Sequence, residues 1–349
     1  MQESKKRKLL ILLAIPLVIL VLCIGTSIGS SNINIWDTIS IVGNKIFNIP
    51  LRTGIKPEDV AIIWVIRLPR VLLAFGVGAS LAVSGAIIQS ILKNPLASPY
   101  TLGVSSGASL GVGIYIVLGI SIPVIGNLAM PIIGFLCGVL TVFAVIIFSN
   151  KVDRGLSNNT VILAGMVLSL FTSAMLTTVT SICSEDLKAI TMWQMGSFAM
   201  KSWSYVLAGI PFLIIGIFMA VRYTREMDIL SFGEDGAKAI GVETKKVKKT
   251  LLVSVAILTG SAVALSGVIG FIDLITPHIV RKIFGASHKI VIPMCIILGG
   301  TLMVLTDLVS RTLIAPSELP VGAITALIGA PFFAYLYFGK RSRWYFARS

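Results

Sequence analysis

Long apolar runs, most of them near 20 residues, recur along this chain, and the short polar breaks between them collect Lys and Arg. A bilayer core of ~30 Å takes about 20 apolar residues per helix. Inside lipid, backbone polar groups find partners only in helices or closed barrels. Barrel strands alternate apolar and polar residues, and these runs show little alternation. The expected fold class is therefore an all-α polytopic membrane protein, a reading that the 56% hydrophobic content supports.

The breaks place the spans. The first apolar run follows Lys5, Lys6, Arg7 and Lys8 and reaches Gly29. It is long for a signal peptide, and Ile28-Gly29-Ser30 is a poor cleavage site, so it reads as an uncleaved first span. Residues 30–60 read as an outside segment. The further spans are expected at about 62–92, 100–120, 124–148, 160–182, 204–221, 250–270, 272–284, 290–310 and 321–339. Residues 183–202 lie outside and have room for a short helix. Residues 222–249 form the largest internal polar stretch.

Charge tests this order. Of 29 Lys and Arg, 21 fall on the side assigned to the cytoplasm and 8 outside. That bias follows the positive-inside rule and sets both termini in the cytoplasm, which needs an even number of crossings. Ten transmembrane helices fit best. The net charge of +14 thus reflects topology in a lipid bilayer, not nucleic-acid binding.

The run at 66–111 carries the densest pattern. Arg67 and Arg70 open it, and Gly78, Ala82 and Gly85 share one helical face. Small faces let helices approach closely in lipid. The pattern GASLAVSGAI at 78–87 returns as GSAVALSGVI at 260–269. The same offset matches Leu92 with Leu274, Pro95 with Pro277 and Gly103 with Gly285. The copies sit five crossings apart, so the expected architecture is an inverted repeat of spans two to five and seven to ten, common in transporters.

Several chemistries find no support. Cys23, Cys137, Cys183 and Cys295 show no metal-ligand spacing and read as small packing residues. The two histidines, His278 and His288, form no HExxH, and no GxxxxGK[ST] occurs. No catalytic residue, metal site or cofactor is expected, and any ATP chemistry belongs to another chain. Asp273, His278 and Arg281 lie at membrane depth or its edge, where ionisable groups are costly. Structural pairing is the favoured reading for them over a proton relay. Met166 and Met175 are expected chiefly to pack.

RLPR at 67–70, GASLAVSGAIIQ at 78–89, NPLASP at 94–99, LGVSSGA at 102–108, PHIVR at 277–281 and ELPVGAITALIGAPFFAYL at 318–336 together resemble the FecCD-type permeases. These are membrane subunits of type II ATP-binding-cassette importers for iron–siderophore complexes, haem and cobalamin. Asp273 departs from that family's pattern, which has a small residue there. The resemblance implies one permease domain over 1–349, working in the cytoplasmic membrane as a homodimer or with a sibling permease. It implies two ATPase subunits inside and a substrate-binding protein outside.

The resemblance also assigns residues. Arg67, Arg70 and Arg311 would form a positive outer rim meeting glutamates of the binding protein, although Asp307 and Arg311, four apart, are also spaced to pair on their own helix. Gly233, Glu234, Asp235, Gly236, Ala237, Ala239 and Gly241 would form the cytoplasmic coupling region, small enough to dock on the ATPase. Ser157 and Asn158 would form a cytoplasmic gate, and Ser157 also suits a helix N-cap. The chief alternative is an ion-coupled secondary transporter, which wants paired carboxylates at midplane, where only Asp273 and Asp307 are offered.

Overall fold

The computed structural model describes residues 2–346 except 30, 32, 121, 124, 125 and 154, with only the backbone described for 2–13 and 336–346. The side chains of the basic N-terminus and basic tail, together with Arg154 and Ser30, lie outside the described residues.

Every regular element described is helical. In chain order these are α1 (Gln2–Ser27), α2 (Ile35–Phe47), α3 (Pro57–Ala61), α4 (Leu68–Leu92), α5 (Val104–Leu118), α6 (Ala129–Val152), α7 (Asn158–Ile182) and α8 (Leu187–Gln194). Then follow α9 (Trp203–Arg222), α10 (Thr224–Ser231), α11 (Glu234–Ala239), α12 (Thr244–Ser266), α13 (Ile272–Phe284), α14 (His288–Thr312) and α15 (Val321–Phe346). Among the described residues, six helical stretches are long and apolar enough to cross a membrane: Pro57–Leu92, Gly126–Val152, Asn158–Ile182, Trp203–Arg222, Thr244–Ser266 and His288–Thr312. Shorter apolar helices cover Ala14–Ser27, Val104–Leu118 and Val321–Tyr335.

Three boundaries differ from the expected spans. The segment 30–60 holds the amphipathic helix α2, capped by Asn34, whose side chain accepts from the Trp36 amide. The second span begins at Pro57, because α3 runs into α4 through a π-helical turn at Ile62–Arg67. Pro69 has no N–H to give Val65, and Leu68 donates instead to Ile63, one residue further back. Helix α12 begins at Thr244, inside the stretch read as a polar loop, because Val247, Leu251 and Leu252 give that stretch a buried face.

Helix α4 is the central post. It packs against α14, α12, α13 and α9. Its small face does this work: a Cβ on Gly78 would collide with the Gly299 carbonyl and Met303, and one on Gly85 with the Asp273 carbonyl. Ser90 of α4 meets His288 at the start of α14, and Arg70 meets Asp307 near its end. The two helices are therefore antiparallel. At 1.5 Å per residue, these two polar contacts sit about 30 Å apart along α4.

The two stretches matched in sequence share helical structure only over their first part. Positions 78–84 and 260–266 are helical in both copies, but α4 continues to Leu92 whereas α12 stops at Ser266. Gly267 takes φ 80° and ψ −170°, and Phe271 takes φ 71°, so residues 267–271 run unwound into α13. Pro95 lies in a loop and Pro277 inside α13, so the gapless pairing breaks there. Two carbonyls at the break have partners: Ser266 O accepts the Ser197 amide at 2.7 Å, and Ile269 O accepts the Tyr100 hydroxyl at 2.7 Å.

Candidate functional site

At one end of the bundle the polar segment after α9 folds back onto the helices. Its two short helices, α10 and α11, are joined at Gly233, whose φ of 138° suits only glycine. Gly241, at φ 85°, ends the segment. Ala237 is buried against the bundle, whereas Asp235, Gly236, Ala239 and Gly241 face outward. A Cβ on Gly236 would meet nothing within 4 Å.

Glu234 of the candidate coupling region is turned toward the bundle and is not free to meet a partner's charge. It pairs with Lys248 of α12, which is 1% exposed. Lys248 Nζ also donates to Leu156 O at 3.1 Å and to Asn158 Oδ1 at 2.9 Å. An ammonium group has three N–H bonds, and all three are used. The structure thus brings Glu234 of the candidate coupling region and Asn158 of the candidate gate onto one buried cation. Sequence reasoning missed Lys248 because it stands in a basic run, KKVKK. The available signal was its place one residue after Val247 and three before Leu251, on the apolar stripe of α12.

Phe232 and Ile240 were missed as well. They flank α11, and they are 92% and 67% exposed. Two large apolar side chains standing out of a polar segment are the usual anchors of a docking surface. Their signal was an apolar residue at each end of an otherwise polar, small-residue stretch.

The start of α7 is built tightly. Ser157 occupies the N-cap position but makes no side-chain cap; its hydroxyl meets Thr160 Oγ1 at 2.8 Å. Asp153 instead braces the turn just before the helix, accepting from the Gly155 amide at 2.8 Å and the Ser157 amide at 3.0 Å. Those amides hold its carboxyl below the ordinary carboxylate range. Leu156 adopts φ 54° yet is 1% exposed, so burial offsets its backbone strain and aims its carbonyl at Lys248. Beyond this point α7 leaves an apolar face uncovered, with Leu170 72% and Phe171 61% exposed. Met166 and Met175 also stand partly exposed there, rather than packed within the chain.

At the opposite end Arg67, Arg70 and Arg311 come together, but they point inward rather than forming an exposed rim. All three are buried. Arg70 is clamped between two carboxylates: its Nε and Nη2 reach Asp307 at 3.0 and 2.8 Å, and its Nη1 and Nη2 reach Glu318 at 2.7 and 2.9 Å. Arg67 donates to the carbonyls of Ser27 and Ser31 and to Ser31 Oγ, fixing the end of α1. A Cβ on Gly29 would strike this guanidinium. Arg311 donates to Gly25 O and lies 3.7 Å from Asp307, the intrahelical pairing anticipated from spacing. The carboxylate that reaches the surface is Glu318, at 35% side-chain exposure.

Asp273 and Arg281 are structurally paired, as expected, with partners on other segments. Asp273 Oδ2 accepts from Ser98 Oγ at 2.5 Å, and Arg281 turns to α4, donating to Gln89 Oε1 and to Ala86 O at 3.1 Å.

Comparison with known proteins gives a consistent picture. The model of the FecCD transport family matches residues 17–338. Hemin transport system permease protein HmuU of Yersinia pestis is 35% identical over 80% of this chain and 84% of its own length. Fe(3+)-citrate import system permease protein YfmD of Bacillus subtilis is 33% identical over 96% of both chains. Among solved structures, a protein described as of metal-chelate ABC-transporter type, in an inward-facing conformation, superposes with a TM-score of 0.80. It is 32% identical and covers 93% of this chain and 97% of its own.

Proposed function

Because the chain belongs to the FecCD transport family and is a multi-pass protein of the cytoplasmic membrane, we propose that it is the permease through which an ATP-binding-cassette importer carries an iron chelate, with haem and cobalamin as the neighbouring cargo classes. It does no bond chemistry of its own. Two ATPase subunits hydrolyse ATP on the cytoplasmic side, and a substrate-binding protein delivers cargo outside.

The observation that carries this reading is the cluster on Lys248, which ties Glu234 to Asn158 and Leu156. A displacement of α11 by an ATPase reaches the start of α7 through one buried cation. Phe232 and Ile240 are the anchors that a groove on the ATPase accepts, with Asp235, Gly236, Ala239 and Gly241 allowing close approach. Ser157 and Asn158 then act as the inner gate. The uncovered apolar face of α7 supports a second copy of the chain across a central path. In this reading ten crossings, both termini inside and an inverted repeat let one path open to either side.

At the other end Arg67, Arg70 and Arg311 shape the docking surface from beneath, by holding residues 25–31 and 310–319, while the acidic and basic groups that reach the surface steer the binding protein.

The test is co-purification of ATPase subunits with the full chain. Phe232→Asp and Ile240→Asp should abolish it while the permease stays folded, and Lys188→Ala, far along the chain, should leave it intact. Unchanged co-purification of both Asp variants would remove the docking assignment.

A further inference from the structure

A second buried chain of polar groups leaves α10 at the same end of the bundle, and the proposed function gives it no part. Asp228 of α10 accepts from the backbone amide of His288 at 2.9 Å, from its Nδ1 at 2.6 Å, and from Ser287 Oγ at 3.3 Å. His288, the first residue of α14, is 3% exposed. Its Nε2 meets Ser90 Oγ near the end of α4. Ser90 Oγ also donates to Ala86 O at 2.9 Å and accepts from Arg281 Nη2 of α13 at 3.3 Å. Four helices meet on one imidazole and one hydroxyl.

Proton accounting gives this chain two discrete arrangements. An ionised Asp228 only accepts, so His288 Nδ1 carries a proton. Ser90 has a single hydroxyl proton and two acceptors within reach, Ala86 O and His288 Nε2. If the proton goes to Ala86 O, Nε2 must donate as well, and the ring is an imidazolium. If it goes to Nε2, the ring is neutral and Ala86 O keeps Arg281 and its helical bond from the Ser90 amide.

We propose that His288 is a positioning residue that links α10 to the ends of α4 and α13, so that the polar segment at 222–249 grips the bundle at two separate points. One grip, Glu234 on Lys248, holds α7 and α12. The other, Asp228 on His288, holds α4, α13 and α14. This rests on the reading of that segment as the face an ATPase moves.

The test compares His288→Asn, which keeps an amide near the Nδ1 position, with His288→Gln, which keeps one near Nε2. Amide exchange is read on the full chain in lipid. His288→Asn, which gives up the Ser90 contact, should raise exchange at 86–92 about tenfold, the loss of one hydrogen bond, and His288→Gln and Asp228→Asn, which weaken the Asp228 contact, should raise it in α10 instead. A rise confined to 288–292 in all three variants overturns the link. In the complete transporter, with ferric citrate, haem and cobalamin as probes, uptake per ATP hydrolysed should fall about tenfold in His288→Asn while hydrolysis stays within about twofold. Parallel loss of both, or unchanged uptake, overturns the coupling role. If the wild type shows no ATP-driven uptake, the transport reading fails and the exchange result alone decides the link.

Discussion

Lys248 Nζ lies 2.9 Å from Asn158 Oδ1, 90 residues away in sequence, with Glu234 as a further partner and Lys248 itself only 1% exposed. A buried ammonium is costly unless every N–H has an acceptor. Here the acceptors come from two segments the sequence marks for different tasks, so the cost of burial enforces their proximity.

Lys248→Met keeps the volume of the stem and removes the charge. It leaves Leu156 O and Asn158 Oδ1 without their donor, and thermal unfolding in detergent should show a loss of about 1.5–3 kcal/mol. Glu234→Gln should cost less than Lys248→Met, because Glu234 is 24% exposed and water replaces part of what it loses. Stability of Lys248→Met equal to wild type would mean the cluster is not formed.

Arg70→Ala takes from Asp307, whose side chain is 1% exposed, its hydrogen-bonded partner at the far end of the bundle and leaves it Arg311 at 3.7 Å. The expected loss is about 3–5 kcal/mol, enough to prevent accumulation of folded protein. Arg70→Lys keeps the charge but not the planar fork that serves two carboxylates, so it should be intermediate. Glu318→Gln, at 35% side-chain exposure, should be the mildest. The order is read from denaturant midpoints in detergent.

Gly85→Ala drives a methyl into the Asp273 carbonyl, which belongs to backbone and has nowhere to go. Overpacking of this kind costs about 1–3 kcal/mol, and here α13 must shift to accept it. Gly236→Ala adds a methyl to open space on α11 and should be neutral or stabilising by up to about 1 kcal/mol through helix propensity. The pair separates packing glycines from permissive ones in a single stability measurement.

Two loop groups make stability rise with pH, each in its own window. The Gly155 and Ser157 amides hold the Asp153 carboxyl below its ordinary value, so its hold on the α7 start is complete above the usual carboxylate range and lost as pH falls through the lowered value. Proteolysis within 150–158 should therefore rise only in acid, and Asp153→Asn should remove that dependence. Lys201, stacked 4.3 Å over the Tyr205 ring, is pushed down to about 8 by burial. Folding disfavours its charge, so its penalty is present below pH 8 and relieved as pH rises from there toward the unfolded value. Lys201→Met should flatten stability over that window.

Much of this was legible in the chain. Apolar runs and their basic breaks gave the helical class, and RLPR, NPLASP and PHIVR gave the family. The face of Gly78, Ala82 and Gly85 packs α4 onto α14 and α13 as its register requires. What was not legible depends on partners distant in sequence. Arg67, Arg70 and Arg311 look like a solvated rim until Asp307, Glu318 and the carbonyls of 25–31 close around them. Lys248 looks like one charge among several until α12 turns it inward. The repeat was visible as composition, but the turn at Gly267 depends on Gly196 and Ser197 packing beside it, which no local pattern records.

The most direct measurement is uptake into proteoliposomes that carry the permease with its ATPase and binding protein, using ferric siderophore, ferric citrate, haem and cobalamin as cargo. The account predicts accumulation of one of these only with ATP inside the ATPase compartment, indifferent to an imposed proton gradient. Accumulation without ATP that follows the proton gradient would contradict it.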